Sequence, residues 1–319
     1  MTSYRVTATA LLVVAACVQA APAALAACYP PPSGLLSWYR AERNAIDAIG
    51  TNDGTLNNGV LFATGKVRRA FSVPQGPFVS APNIPQLAFG NRSFTVELWV
   101  NFALITARAP FVAHDDGASN TNKWIFWYDE QGHDTPSGPA LRFHTNGPTD
   151  GARDPIFVPW SPVPGTWYHV AVTRNVRSPN KSDYVLYIDG VEQAKTSPIG
   201  EVRIPSAPLT MGGAEFLYFN GLLDEISIYD RALSAKEIAG IFNAADKGKC
   251  APGPLPLAAS VTGMLPRGGK VTCQNLTTAQ SIVIDIPKNV RSWDCIEGGL
   301  DINAGDDVRI NLNVKGTAE

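Results

Sequence analysis

Charge is scarce in this chain. Asp, Glu, Lys and Arg make up 17% of its 319 residues and nearly cancel, leaving a formal net charge of −2. Nucleic-acid binding needs a basic face. The one short basic cluster, Lys66, Arg68 and Arg69, reads as a solvated strand edge, so no nucleic-acid partner is expected. Long apolar runs are missing too. Past the N-terminus nothing approaches the roughly 20 apolar residues of a transmembrane helix, and no membrane span is expected. With 4 histidines, a histidine metal centre has little to draw on, and neither His114 nor His133-Asp134 repeats a metal-ligand spacing. No Gly-x-Ser-x-Gly elbow, His-Glu-x-x-His helix or phosphate loop occurs.

The N-terminus has the pattern of an export signal. Arg5 is followed by the apolar stretch Leu11 to Val18, then by the small residues Ala24-Leu25-Ala26. Residues 1–27 are therefore expected to be a signal peptide and the rest exported, to the periplasm or outside the cell. Leu25-Ala26-Ala27-Cys28 also fits a lipobox, which would anchor Cys28 to a membrane through lipid. Setting Cys17 aside with the signal leaves Cys28, Cys250, Cys273 and Cys295, an even number in an oxidising compartment. Three pairings are possible. Cys28–Cys250 with Cys273–Cys295 is favoured, because each pair then lies within one expected domain.

Turn formers are abundant, with 28 Gly and 25 Pro, as in a protein of many short strands. Phe94, Val96, Leu98, Val100 and Phe102 alternate with Thr95, Glu97, Trp99 and Asn101, the period of two of a half-buried strand. Residues 167–174, 184–188 and 222–229 read as further strands. Asp189-Gly190 after residues 184–188 is the strongest hairpin signal. Ser234-Ala235-Lys236-Glu237 is a capping box, opening a helix to about Ala245 with Ile238, Ile241 and Phe242 on one face. The fold expected is all-β: two antiparallel sheets in a sandwich over residues 28–250, with one short C-terminal helix. A proline-rich linker at 251–257 leads to a small β domain, 258–319, stapled by Cys273–Cys295.

The first domain resembles the laminin-G-like, concanavalin A-like lectin/glucanase superfamily, a jelly roll. The resemblance runs over 28–250. It is carried by the order and spacing of Leu35-Leu36-Ser37-Trp38-Tyr39, Asn52-Asp53-Gly54-Thr55-Leu56, Phe94-Thr95-Val96-Glu97-Leu98-Trp99-Val100, Trp167-Tyr168-His169-Val170, Tyr187-Ile188-Asp189-Gly190, Asn220-Gly221-Leu222-Leu223-Asp224-Glu225-Ile226 and Leu233-Ser234-Ala235-Lys236-Glu237. Such domains commonly bind glycans or proteins outside the cell, often with calcium, and fold alone does not choose among these roles.

Two candidate sites follow. Calcium takes several hard oxygens. Related jelly rolls hold a structural ion near Asp224, and Glu42 and Asp47 are expected to neighbour it. Sugar rings present an apolar face on which an aromatic side chain can stack. Trp124, Tyr128 and Trp127 on one strand, with His144 and Trp160 as neighbours, are the candidate ligand-binding set. Trp99 and Trp167 read as packing. Jelly-roll glycoside hydrolases carry Glu-x-Asp-x-x-Glu on one strand, which places two carboxyls about 5 Å apart. No such run exists here, Glu97 stands alone on its strand, and Asp224 and Glu225 should face opposite ways. The expectation is a secreted, non-catalytic protein that recognises a glycan or cell-surface glycoprotein through a calcium-supported jelly roll. The alternatives are a structural or adhesion protein that binds other proteins and an unusual glycoside hydrolase.

Overall fold

The computed structural model describes residues 28–50, 52–117, 121–131, 138–146, 153–178, 181–251, 260–265, 269–275, 280–286, 290–294 and 308–314. The expected signal peptide, the linker past residue 251, His133-Asp134 and the Cys273–Cys295 pairing lie outside this set. No helix among the described residues is long and apolar enough to cross a membrane.

Residues 35–229 form short strands: β1 (Leu35–Tyr39), β2 (Thr55–Asn57), β3 (Leu61–Thr64), β4 (Arg69–Val73), β5 (Phe78–Ala81), β6 (Phe94–Phe102), β7 (Arg108–Asp115), β8 (Lys123–Asp129) and β9 (Ala140–Asn146). They continue as β10 (Arg153–Pro159), β11 (Trp167–Ser178), β12 (Lys181–Ile188), β13 (Val191–Thr196), β14 (Leu209–Met211), β15 (Gly213–Ala214), β16 (Leu217–Tyr218) and β17 (Gly221–Tyr229). A first sheet runs β13-β12-β11-β6-β17-β4-β3, with β1 also on β17; a second runs β10-β9-β8-β7-β14-β5-β2. Both are antiparallel, and the two-sheet sandwich expected from the alternation is present. The strands at Ser260–Leu265, Gly269–Asn275, Gln280–Ile286, Val290–Asp294 and Val308–Val314 pair among themselves and join neither sheet.

The core fills the space between the sheets. Phe94, Val96, Leu98, Val100 and Phe102 point inward, as their spacing requires, and meet Phe111, Trp124, Phe126, Tyr128 and Phe143 from the other sheet. Burying such side chains contributes about 1.5–3 kcal/mol each. The outward residues of β6 depart from the expectation of a half-buried strand: every residue of β6 is buried. The cover comes from the C-terminal segment: Thr95 hydrogen-bonds the backbone of Arg231 and Leu233, Glu97 meets Lys249, and Phe242 of the helix α1 (Ala235–Asn243) stacks on Trp99 with centroids 5.6 Å apart. The capping box is formed: Ser234 Oγ accepts from the Glu237 N–H at 3.3 Å, and the Ser234 N–H donates to Glu237 Oε2 at 2.8 Å. The Asp189-Gly190 turn joins β12 to β13 with φ of 50° and 77°, the positive pair such a two-residue hairpin needs.

The chain ends of this unit are tied together. Cys28 is disulfide-bonded to Cys250, 222 residues on, and a sulfur in that bridge is not free to carry lipid. The Tyr29 N–H donates to the Gly248 carbonyl and the Cys250 N–H to the Tyr29 carbonyl, at 2.9 and 2.8 Å. Tyr29 packs so tightly under α1 that a Cβ on Gly240 would lie 2.3 Å from its ring.

Candidate functional site

Both sheets carry charged side chains on their outer faces. On the first sheet, Glu97 Oε1 meets Lys249 Nζ at 3.0 Å and Glu97 Oε2 meets His169 Nε2 at 3.0 Å. Lys249 also lies 3.4 Å from Glu225 Oε2, and the Trp38 indole N–H donates to that same oxygen at 3.2 Å. All of these groups are buried. Burial alone would raise the Glu97 carboxyl, but the Lys249 ammonium and the His169 ring outweigh it and hold it at about 2. Glu97 is the single acid of β6, and its cationic partner arrives from a segment 152 residues away.

Asp224 and Glu225 correct an expectation. Adjacent strand residues should face opposite ways, but β17 carries a bulge between Asp224 and Ser227, with Glu225 at φ 55°. The extra residue turns both carboxylates into one buried cluster. Burial first, then the charges of Glu225 and Glu42, push the Asp224 carboxyl well above its ordinary value. Asp224 Oδ2 accepts the Val67 N–H at 2.9 Å, while Oδ1 is buried with no hydrogen-bond partner. An oxygen left in that state suits a hard cation. Asp47 Oδ1 accepts the N–H groups of Trp38 and Ile49 at 2.9 and 3.2 Å, while its Oδ2 is buried with no hydrogen-bond partner, as Asp224 Oδ1 is. Among the described residues no three His, Cys, Asp or Glu side chains converge on one point. Asp224, with Glu42 close enough to raise its carboxyl and with the free Oδ2 of Asp47, supplies the carboxylates that could hold calcium.

On the second sheet the aromatic candidates divide. Trp124 is fully buried between the sheets, stacked on Phe89 and Phe143 with centroids 5.0 and 6.0 Å away. Tyr128 meets Phe102 and Trp160 edge-on at 5.4 and 5.8 Å, and Trp160 rests against the core at its edge. These three are on the inner side. Trp127 and His144 are on the outer side and in contact, with centroids 5.5 Å apart. The parity of β8 decides this: Trp124, Phe126 and Tyr128 share one face, Ile125 and Trp127 the other.

Around Trp127 the outer face is mixed: Ala113, Ile125, Ala214 and Leu217 cluster with its ring, and charged groups lie beside it. Trp127 pairs across β9 with Arg142, and Ile125 with His144. Arg142 Nη1 donates to Asp154 Oδ2 at 2.9 Å, and its Nε lies 3.8 Å from Asp129 Oδ2. His144 Nδ1 shares a hydrogen bond with Asp154 Oδ1 at 3.0 Å. The Arg108 guanidinium lies 5.8 Å from the Trp127 ring. The Trp127 indole N–H is buried without a hydrogen-bond partner. Asp129 and Asp154 both lie beside the Arg142 guanidinium. Neither aspartate was a sequence-level candidate. The register of β8 with β9 shows the Arg142 neighbourhood, and Asp154 reaches it from the edge strand β10 through a register shift at Pro155, a residue that marks such an edge or bulge.

The family description "Concanavalin A-like lectin/glucanases superfamily" matches residues 75–239, half of the chain. The chain belongs to this superfamily. No curated protein matches its sequence. Among solved structures, domain 4 of the extracellular GH43 arabinanase AbnA from Geobacillus stearothermophilus, solved with arabinotriose, aligns with TM-score 0.51 at 21% identity, covering 66% of this chain and 98% of the domain. The binding domain of Paraclostridial Mosquitocidal Protein 1 aligns with TM-score 0.48 at 15% identity, over 82% of this chain and 70% of that one. Trypanosoma rangeli sialidase aligns with TM-score 0.43 at 19% identity, over 66% of this chain and 33% of the enzyme. At these identities the likeness is one of fold.

Proposed function

We propose that this is an exported, non-catalytic recognition protein that binds carbohydrate, free or on a glycoprotein, at the outer face of its second sheet. The observation that carries this reading is the match to the lectin/glucanase superfamily; on the outer face of the second sheet Trp127, His144 and Arg142 form a buried layer, with Asp129 and Asp154 beside Arg142. A buried layer of this kind on a rigid sheet can hold a ligand-binding surface above it in shape. The superfamily and the arabinanase domain solved with arabinotriose support a carbohydrate ligand. The Cys28–Cys250 bridge supports an oxidising compartment.

Calcium belongs to the same proposal, held by Asp224, Glu42 and Asp47 on the opposite outer face, where it would offset buried negative charge. In that position its role is to stabilise the scaffold, apart from the ligand. The test is retention of the oxidised protein on a panel of immobilised glycans, arabinotriose included, with calcium and then with chelator. Retention on a defined glycan class, lost in Trp127→Ala or His144→Ala variants that still fold, is the expected result. Failure to retain any glycan in either condition would refute the reading.

A further inference from the structure

Phe216 is the most exposed large apolar side chain among the described residues, at 87%. Its backbone is as unusual as its exposure. Glu215 and Phe216 form the two-residue loop between β15 and β16, with φ of 50° and 64°. Such a loop is built cheaply from Asn-Gly or Asp-Gly, and this protein does so at Asp189-Gly190, where the φ values are 50° and 77°. A phenylalanine in the left-handed region is costly for the fold. An apolar ring turned to water gains nothing by folding, so neither the turn nor the core accounts for it.

The hairpin is a rigid mount. Ala214 and Leu217 pack on Ala113, Ile125 and Trp127 of the second sheet's outer face. Glu215 forms an ion pair with the buried Lys123 at the start of β8. The hairpin thus stands on the face that carries Trp127 and His144. The strand aromatics of that region, Trp124, Trp127 and Tyr128, are each at most 3% exposed.

We propose that Phe216 is a sugar-stacking platform, meeting the apolar face of one pyranose or furanose unit of a glycan laid on the second sheet. This rests on the carbohydrate reading above and deepens it: the ring that meets the ligand first is on the hairpin, and the strand residues beneath hold the mount. One ring beside the Glu215–Lys123 ion pair matches one sugar face. A protein partner would need a contiguous interface of about 1,000 Å² or more.

The test measures affinity for whichever glycan of the panel retains the wild type, using Phe216→Gly, Phe216→Ala and Phe216→Trp. Glycine suits the turn, so Phe216→Gly removes the ring without endangering the fold. Expected are a loss of about tenfold in Phe216→Gly and Phe216→Ala, equivalent to about 1.4 kcal/mol for one stacked ring, equal or tighter binding in Phe216→Trp, and an unlowered melting temperature in Phe216→Gly. Wild-type affinity in Phe216→Gly would overturn the platform and leave the carbohydrate reading standing. A lowered melting temperature in Phe216→Gly would make the ring structural and also overturn it. A wild type that retains no glycan, with or without calcium, would fail the carbohydrate reading and the platform with it.

Discussion

The two outer faces of the sandwich both bury charge, but they connect it differently. On the first sheet the partners are distant in the chain: Glu97 and Lys249 are 152 residues apart, Trp38 and Glu225 187. On the second, the Arg142 network is local: Arg142 and His144 reach Asp154 at separations of 12 and 10, while the hairpin's Glu215–Lys123 pair joins distant segments there. A long-range buried pair forms only once the chain ends have come together, so it acts as a clasp on the completed fold. A short-range network forms with its own strands and holds a surface in shape. The contrast matches the proposed division, in which the first face holds the fold and the second carries the ligand.

The largest effect should come from the clasp. Lys249→Met leaves Glu97 and Glu225 buried without their cation, which should cost about 3–5 kcal/mol. Denaturant unfolding would show it, and an unchanged midpoint would break the contrast. Next is the bridge. Replacing Cys28 and Cys250 together with serine should cost about 2–5 kcal/mol. Because Cys250 follows Lys249 directly, the two losses should be less than additive; full additivity would separate bridge and clasp.

The pH dependence is smaller and has a defined sign. Glu97 is lowered from an ordinary 4.5 to about 2, so its stabilisation is complete above 4.5 and is lost as pH falls from 4.5 towards 2. Lys249→Met should flatten this decline. Asp224 has the opposite sign. Its carboxyl is raised above 3.8, so the folded state holds the proton longer and stability falls as pH rises above 3.8. Calcium should reduce that fall. The smallest expected effect is therefore at neutral pH, where chelator should lower the melting temperature by about 2–4 °C for each kcal/mol removed. No change with chelator in either the wild type or Asp224→Asn would remove calcium from the account.

Much of the fold could be read in the sequence because period-two alternation and turn chemistry are local. β6, the Asp189-Gly190 hairpin and the Ser234–Glu237 capping box followed from a few residues each. The site was less legible. Alternation along 124–128 puts Trp127 on the other face from Trp124 and Tyr128, but does not say which face is the interior. The bulge at Glu225, which brings it to the same cluster as Asp224, has no glycine to mark it. Asp154 reaches Arg142 across a register shift, and Phe216 occupies a turn where the usual residues would have announced a hairpin.

The most direct test of the division between the faces is backbone hydrogen exchange with and without the retained glycan. The account predicts added protection in 123–129, 140–146 and 213–218, with 94–102 and 221–229 unchanged. Protection centred on 94–102 and 221–229 would contradict it.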